Sequence, residues 1–244
     1  MSTSSDQRLA PTVAAVIFDL DGVIVDSEIW WHEERVAWTA AIGRAWSLED
    51  SHAVMGANSR GWARIMRERL GLDATTDPEI EAAIVRRMVD RYAVDDPEIP
   101  GAVATVRRIA GRWPVAIASS AHRDVIGAAL RSTGLTGLVP VVVSSDEVAH
   151  GKPAPDVYLE TAVRLGVRPE QCVVVEDSIN GIRAGLAAGM TVVLVPNAKL
   201  PPAPGAHELA DVVLDRLSDL DPAAVLAARS HPVTPARGPR RSSA

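Results

Sequence analysis

The sequence predicts an α/β protein with a parallel sheet core and an inserted all-helical segment. From about residue 100 onward, short β-branched runs alternate with segments of helical periodicity. This alternation is typical of parallel strands joined by right-handed helical crossovers. Another apolar run, at residues 13–18, lies far upstream. Residues 28–97, between the two regions, show helical spacing and no strand pattern, so we expect them to be an insert.

The elements of the core follow one another in a regular order. Predicted strands cover residues 13–18, 115–118, 139–143, 172–175, 191–195 and 211–214. Predicted helices cover residues 103–109, 122–132, 156–165 and 179–188. Gly134 and Gly189 follow two of these helices, as is common at helix C-termini. The order predicts a Rossmann-like sheet with helices on both faces.

The insert is predicted to be a small helical bundle. Trp31, Trp38 and Ile42 recur at helical spacing and should share one face. We therefore expect an α/β core at residues 11–27 and 98–229 and a helical insert at residues 28–97. The polar ends, residues 1–10 and 230–244, are predicted to be disordered.

Composition narrows the class of protein. Among 244 residues, 31 Asp and Glu against 25 Lys and Arg give a formal net charge of −6, which argues against nucleic acid as a partner. A single cysteine, Cys172, excludes an internal disulfide and is predicted to be a buried structural thiol. No apolar stretch approaches the roughly 20 residues that span a bilayer. Residues 1–11 lack the regions of a signal peptide, so we expect a cytoplasmic protein. A monomer and a homodimer both remain open.

The first strand ends in two carboxylates and a glycine, Asp19, Asp21 and Gly22. In an open parallel sheet, ligands bind at the carboxyl ends of the strands. Two like charges this close are costly unless a cation or a shared proton neutralises them. Mg²⁺ prefers hard oxygen ligands, so the motif is a first indication of a magnesium site.

Other predicted strands also end in polar groups. Ser119 and Ser120 follow the second strand, and Glu176 and Asp177 follow the fourth. Lys152 lies in a Gly/Pro-rich loop between them. Carboxylates that hold Mg²⁺, with a lysine and a hydroxyl that bind phosphoryl oxygens, are the groups that phosphoryl transfer requires.

These motifs resemble those of the haloacid dehalogenase superfamily of phosphohydrolases, in its group with a helical cap. That group includes β-phosphoglucomutase-like enzymes and phosphoglycolate phosphatases. The matching residues are Phe18-Asp19-Leu20-Asp21-Gly22-Val23 with Asp26-Ser27, Ser119, Lys152 in Gly-Lys-Pro-x-Pro, and Val175-Glu176-Asp177-Ser178 with Gly181.

The resemblance implies catalytic roles for four residues. Asp19 would attack phosphorus and form an aspartyl-phosphate. Asp21 would protonate the leaving alkoxide and then deprotonate the attacking water. Lys152 and Ser119 would bind phosphoryl oxygens.

The resemblance also implies a metal site and a substrate site. Mg²⁺ would be held by the carboxylates of Asp19 and Asp177 and by the backbone carbonyl of Asp21. Glu176 would either bind the ion directly or contact the residues that bind it. The backbone N–H groups of Leu20 and Asp21, beside Gly22, would bind the phosphoryl anion. Ser120 is an alternative phosphate ligand or the cap of the following helix.

The resemblance further implies that residues 11–27 and 98–229 are the catalytic core and that the helical insert, residues 28–97, is a cap. The cap is expected to close over the site and exclude water. Within Gly56-Ala57-Asn58-Ser59-Arg60, the Arg60 guanidinium is either a contact to an anionic substrate or an ordinary surface group. Trp30 and Trp31 are expected in the bundle core, with a substrate wall as the other possibility. Trp31 also stands where many relatives carry a histidine that ties the cap to the acid/base residue. This departure favours hydrolysis over sugar phosphate isomerisation.

The sequence thus predicts a Mg²⁺-dependent phosphatase of a small phosphomonoester, such as a sugar phosphate or phosphoglycolate. A phosphomutase of the β-phosphoglucomutase type is the enzymatic alternative. A dehalogenase is disfavoured because it needs neither Mg²⁺ nor the acidic pair at Glu176. A non-catalytic phospho-switch module is disfavoured because such modules lack a helical insert.

Overall fold

A computed structural model of the chain describes residues 12–54, 57–199 and 201–229. The two ends predicted to be disordered lie outside the described residues. Within the described residues, six parallel strands form one sheet in the order β3-β2-β1-β4-β5-β6. They are β1 (Ala15–Phe18), β2 (Val115–Ser119), β3 (Val141–Ser144), β4 (Cys172–Glu176), β5 (Thr191–Leu194) and β6 (Val212–Val213). The predicted fold class is confirmed.

The sheet is buried on both faces, which explains why its strands are almost wholly apolar. Successive side chains of a strand point to opposite faces. Val16 and Phe18 of β1 therefore belong to one core cluster, and Ala15 and Ile17 belong to the other. The first face is covered by α5 (Ala102–Ala110), α6 (Arg123–Ser132) and α10 (Pro222–Arg229). The second is covered by α7 (Asp156–Leu165), α8 (Ile179–Ala187) and the short α9 (Ala206–Leu209). Cys172 is buried as predicted, and burial raises the pKa of its thiol to about 12.

The order of the strands determines where the polar residues that follow them lie. β1 lies between β2 and β4, so the chain winds outward from β1 in both directions. Such a reversal of strand order leaves a crevice at the carboxyl ends of the adjacent strands. The polar groups that follow β1, β2 and β4 therefore meet at one edge of the sheet.

Among the described residues of the insert, four helices separate β1 from the rest of the core. They are α1 (Glu28–Ala41), α2 (Leu48–Val54), α3 (Ser59–Leu70) and α4 (Asp77–Tyr92). Local signals set their ends. Thr76 and Glu79 form a capping box at the start of α4, and Gly71 ends α3 in the left-handed region at φ 61°.

Several elements begin or end one or two residues away from the predicted bounds. The third strand starts at Val141 rather than residue 139, because Pro140 has no N–H to donate to a neighbouring strand. The prediction that Ile42 shares the buried face of the first helix is wrong. Ile42 follows the last residue of α1 and is 42% exposed. The buried face of that helix instead runs through Trp31, Arg35 and Thr39.

Candidate active site

The loop after β1 is pressed against the loop after β4. The Asp19 N–H donates to the Val175 carbonyl at 2.9 Å. Gly22 has φ 79°, and a Cβ built on it would lie 1.8 Å from Asp177 Oδ2. Only glycine allows both this backbone conformation and this approach. The two acidic motifs that the sequence places far apart are therefore in contact.

Lys152 bridges the two acidic motifs. Its Nζ donates to Asp19 Oδ1 at 2.7 Å, to Glu176 Oε1 at 2.7 Å and to the Ala118 carbonyl at 3.0 Å. The side chain is buried. Although burial alone would lower it, the charges of Asp19 and Glu176 raise the pKa of Lys152 well above its usual value. The lysine is thus a fixed cation at the edge of the sheet.

Glu176 is fully buried and has every oxygen occupied. Its Oε1 accepts from Lys152 and from the Tyr158 hydroxyl at 2.7 Å. Its Oε2 accepts from the backbone N–H groups of Asp177 and Ser178, both at 3.1 Å, and from Ser178 Oγ at 3.0 Å. Burial would raise the pKa of this carboxyl, but Lys152 and these hydrogen bonds lower it. Glu176 therefore holds the Lys152 ammonium group in position through an ion pair.

An acidic cluster is formed by Asp19, Glu176 and Asp177. One carboxylate oxygen from each of the three lies within 4.8 Å of the other two. Burial, with the charges of Glu176 and Asp21, raises the pKa of Asp19 to about 8 against the opposing effect of Lys152. Burial and the neighbouring carboxylates raise the pKa of Asp177 well above its usual value. One lysine does not neutralise this cluster, and its hard oxygen donors fit a divalent cation such as Mg²⁺.

The carboxylate of Asp21 is held by one residue of its own loop and one of the cap. Its Oδ1 accepts from the Ser27 hydroxyl, and from Trp31 Nε1 at 3.4 Å. Burial raises the pKa of Asp21, and these two hydrogen bonds oppose the rise. An indole N–H donates but cannot accept a proton, so Trp31 orients this carboxylate without exchanging protons with it.

Two serines follow β2 with different surroundings. Ser119 is buried, and its Oγ accepts from the Ala121 N–H at 3.0 Å, which leaves its own proton free to donate. Ser120 is partly exposed. The capping alternative for Ser120 is wrong, because His122 caps α6 by accepting from the Asp124 N–H at 3.1 Å.

A cavity of about 320 Å³ opens at this edge of the sheet, and we call it the main cavity because predicted site residues line it. Its lining includes Asp19, Asp21, Ser119, Ser120, Lys152 and Asp177, so the structure brings these six predicted residues together. Glu176 lies behind Lys152 and does not line the cavity. Leu20 is buried, and in the described part of the chain the N–H groups of Leu20 and Asp21 donate to no backbone carbonyl.

Arg60 is not part of this arrangement. Its side chain is exposed and does not line the main cavity. Its charge acts instead on α4, where it opposes the rise that burial causes in the pKa of Glu81. A different arginine of the cap, Arg35, is buried near Asp21 beside Trp31 and Trp62. Sequence reasoning missed it because Arg35 interrupts an apolar helix face and carries no motif.

The cap lies directly on the core. The Ser59 N–H at the start of α3 donates to Asp146 Oδ1 of the core at 2.9 Å. Glu28, the first residue of α1, lines the main cavity, and burial together with the charge of Asp21 raises its pKa to about 7.

In the described ranges, no helix has the length and apolarity needed to cross a membrane.

Comparison with known proteins identifies the class. A family model described as haloacid dehalogenase-like hydrolase matches residues 13–189, which covers the loops after β1, β2 and β4. The chain is therefore an enzyme of the hydrolase class. It belongs to the haloacid dehalogenase-like hydrolase family, and the family predicted from its motifs is confirmed.

Two similar proteins of known sequence are named as phosphatases, and a solved structure shares the fold. Fructose-1-phosphate phosphatase YqaB of Escherichia coli K12 is 36% identical over 181 residues, which cover 74% of this chain and 95% of that protein. Hexitol phosphatase B of the same organism is 30% identical over 213 residues, 85% of this chain and 94% of that protein. The structure of β-phosphoglucomutase from Clostridium difficile matches with a TM-score of 0.75 at 20% identity, over 90% of this chain and 98% of that one. The last likeness shows the fold alone.

Proposed function

We propose that this chain is a Mg²⁺-dependent phosphatase that hydrolyses a small phosphomonoester through an aspartyl-phosphate on Asp19. The observation that carries the proposal is the Lys152 bridge between Asp19 and Glu176 at the edge of the main cavity. The bridge fixes one oxygen of Asp19 and leaves the other available for attack on phosphorus. The names of the two bacterial relatives, both sugar or hexitol phosphatases, support this class of substrate.

Asp19, Asp177 and the backbone carbonyl of Asp21 are the groups we propose to hold Mg²⁺. When bound, the ion offsets the repulsion between the Asp19 carboxylate and the phosphoryl oxygens. Glu176 has its lone pairs taken by five donors, so we assign it to the support of Lys152 rather than to the ion.

Asp21 is proposed as the acid/base residue. Burial raises the pKa of Asp21, which favours a protonated carboxyl that can donate to the leaving oxygen. The resulting carboxylate then accepts a proton from the water that attacks the intermediate. Ser27 and Trp31 hold one oxygen of this group during both steps.

The phosphoryl group is proposed to lie between Lys152 and the ends of β1 and β2. Ser119 and Ser120 supply hydroxyl donors, and the N–H groups of Leu20 and Asp21 supply backbone donors beside Gly22. Donors that are fixed before the reaction stabilise charge on the transferring group effectively. The substrate is small and phosphorylated, and a cytoplasmic location suits such a metabolite.

The proposal is tested by incubating the pure protein with Mg²⁺ and a panel of phosphorylated sugars, polyols and hydroxy acids. Free phosphate and rearranged sugar phosphates are both measured, with and without a sugar bisphosphate primer. We expect Mg²⁺-dependent release of phosphate. Rearranged product without net phosphate release would instead establish a phosphomutase. The absence of any reaction on the whole panel would contradict both the phosphatase and the phosphomutase function.

Metal binding should depend on pH in a defined direction. A carboxyl whose pKa is raised on folding, as for Asp19 at about 8, makes the metal-free fold less stable as pH rises above about 4. Each such proton is worth about 1.4 kcal/mol per pH unit. Mg²⁺ competes with these protons, so it should raise the melting temperature more at pH 8 than at pH 6.

The matched control is Asp177→Asn, which removes one proposed ligand and should abolish most of the Mg²⁺ effect at pH 8. Thermal unfolding with Mg²⁺ and with a chelator gives the comparison. An equal gain at both pH values, or no gain in the unmodified protein, would show that the acidic cluster does not bind the ion.

A further inference from the structure

Arg35 is a buried cation that forms no direct ion pair or side-chain hydrogen bond with an anion among the described residues, although the charge of Glu28 acts on it. It lies on α1 and is 7% exposed. Its guanidinium carbon lies 5.2 Å from the centre of the Trp31 ring and 5.4 Å from that of Trp62. Within the described ranges the guanidinium donates no hydrogen bond and forms no ion pair, and its Nε is buried with no acceptor.

This arrangement is unfavourable unless something else binds the guanidinium. A buried charge is normally paired and hydrogen-bonded, and contacts to aromatic rings compensate only in part. Burial lowers the pKa of Arg35 to about 10, so the group remains cationic at neutral pH. Contacts with the two indole rings restrict the positions that the guanidinium can adopt before any ligand arrives.

The guanidinium lines a small pocket next to the reaction centre. This side pocket has a volume of about 70 Å³. It shares Asp21, Glu28 and Ser120 with the main cavity, and Arg35, Trp31 and Trp62 belong to its cap side. Because Asp21 is the proposed proton donor to the leaving oxygen, the side pocket lies where the leaving alcohol extends away from phosphorus.

The size and chemistry of the side pocket restrict the group that fits it. Water occupies about 30 Å³ per molecule in the liquid, so about 70 Å³ holds a group of a few heavy atoms rather than a sugar ring. The planar fork of an arginine matches the two oxygens of a carboxylate. Glu28 lines the same pocket, and its charge opposes the lowering of the Arg35 pKa by burial. The two side chains form no direct ion pair or hydrogen bond among the described contacts, so the N–H groups of the guanidinium are available to an incoming carboxylate.

We propose that Arg35 binds a carboxylate on the leaving group, so that the enzyme prefers phosphomonoesters of small hydroxy acids. This inference rests on the proposed phosphatase function and specifies its substrate class. Arg35 then takes the role that sequence reasoning offered to Arg60.

The test compares two matched substrate pairs. 2-Phosphoglycolate and 2-hydroxyethyl phosphate differ only in a carboxylate against a hydroxymethyl group, as do 3-phosphoglycerate and glycerol 3-phosphate. We expect kcat/KM of the unmodified enzyme to be at least about tenfold higher for the acid in one or both pairs. Arg35→Met should lower kcat/KM for the acid by roughly 100-fold and for the neutral partner by less than about threefold.

Two further variants and one binding measurement complete the design. Arg35→Lys keeps the charge without the fork and should recover part of the preference, while Arg60→Met, on the exposed arginine of the same cap, should leave it unchanged. Melting temperatures check that the variants fold. With p-nitrophenyl phosphate as substrate, glycerate should inhibit the unmodified enzyme and glycerol should not.

The outcomes separate the two proposals. Hydrolysis of both members of each pair at equal kcat/KM, or an equal loss on both in Arg35→Met, would overturn the role of Arg35 and leave the phosphatase standing. Equal inhibition by glycerate and glycerol would do the same. Failure of the unmodified enzyme to hydrolyse any phosphomonoester with Mg²⁺ would overturn the proposed function itself.

Discussion

Lys152→Met should lower the rate of phosphate release by about 10³-fold or more and also destabilise the fold. The activity falls because the variant loses a fixed cation at the phosphoryl site, where even one neutral donor is worth about 10²–10³. The stability falls because Glu176, which is fully buried, loses its charged partner. Removing one member of a buried ion pair typically costs about 3–5 kcal/mol. Phosphate release and chemical denaturation measure the two effects.

The only other lysine, Lys199, provides the control. Its side chain is 77% exposed and pairs with Asp26 at the surface, so Lys199→Met should change neither property appreciably. The double variant Lys152→Met/Glu176→Gln removes both charges of one pair and should recover part of the lost stability without recovering activity. Retention of activity in Lys152→Met would contradict the catalytic role of the Lys152 bridge. A loss of stability that the double variant does not relieve would contradict its structural role.

Asp19→Asn should abolish phosphate release, by about 10⁴-fold or more, because an amide does not attack phosphorus. The fold should survive, since an amide oxygen can still accept from Lys152 at the same position. Burial raises the pKa of Asp19 to about 8, so the neutral amide should make the metal-free protein slightly more stable at pH 8. The same variant should lose most of its stabilisation by Mg²⁺.

Phosphate release and thermal unfolding with and without Mg²⁺ provide the measurements. Asp124→Asn is the matched control, because Asp124 is 73% exposed on α6, outside the main cavity. Turnover by Asp19→Asn at more than a few per cent of the original rate would exclude Asp19 as the nucleophile.

Much of the core of the site follows from sequence because parallel strands place their carboxyl ends together. Asp19, Ser119 and Asp177 lie at or just after the ends of β1, β2 and β4, which are neighbours in the sheet. Parallel strands alone predict that these side chains lie at the same edge of the sheet, and the strand order, which the sequence does not give, makes them neighbours. Lys152 lies in a loop, and only its Gly/Pro surroundings and the family resemblance indicated its place.

The remaining features depend on packing that no local pattern encodes. Tyr158 lies on an apolar face of α7, where an aromatic residue normally indicates core, yet its hydroxyl donates to Glu176. Arg35 lies on the buried face of α1, where a charged residue is not expected. Its environment is created by Trp62, a residue of another cap helix. Side chains from separate helices form the side pocket, so only the folded cap reveals it.

The measurement that tests the central claim most directly is chemical trapping of a phosphorylated Asp19. The Asp21→Asn variant, which lacks the proposed base for hydrolysis, is mixed with Mg²⁺ and p-nitrophenyl phosphate, whose leaving group needs no proton. Quenching and borohydride reduction convert an acyl phosphate to an alcohol, so peptide mass spectrometry should find homoserine at position 19. Release of p-nitrophenol with an unmodified Asp19, or with the label on another residue, would contradict the account.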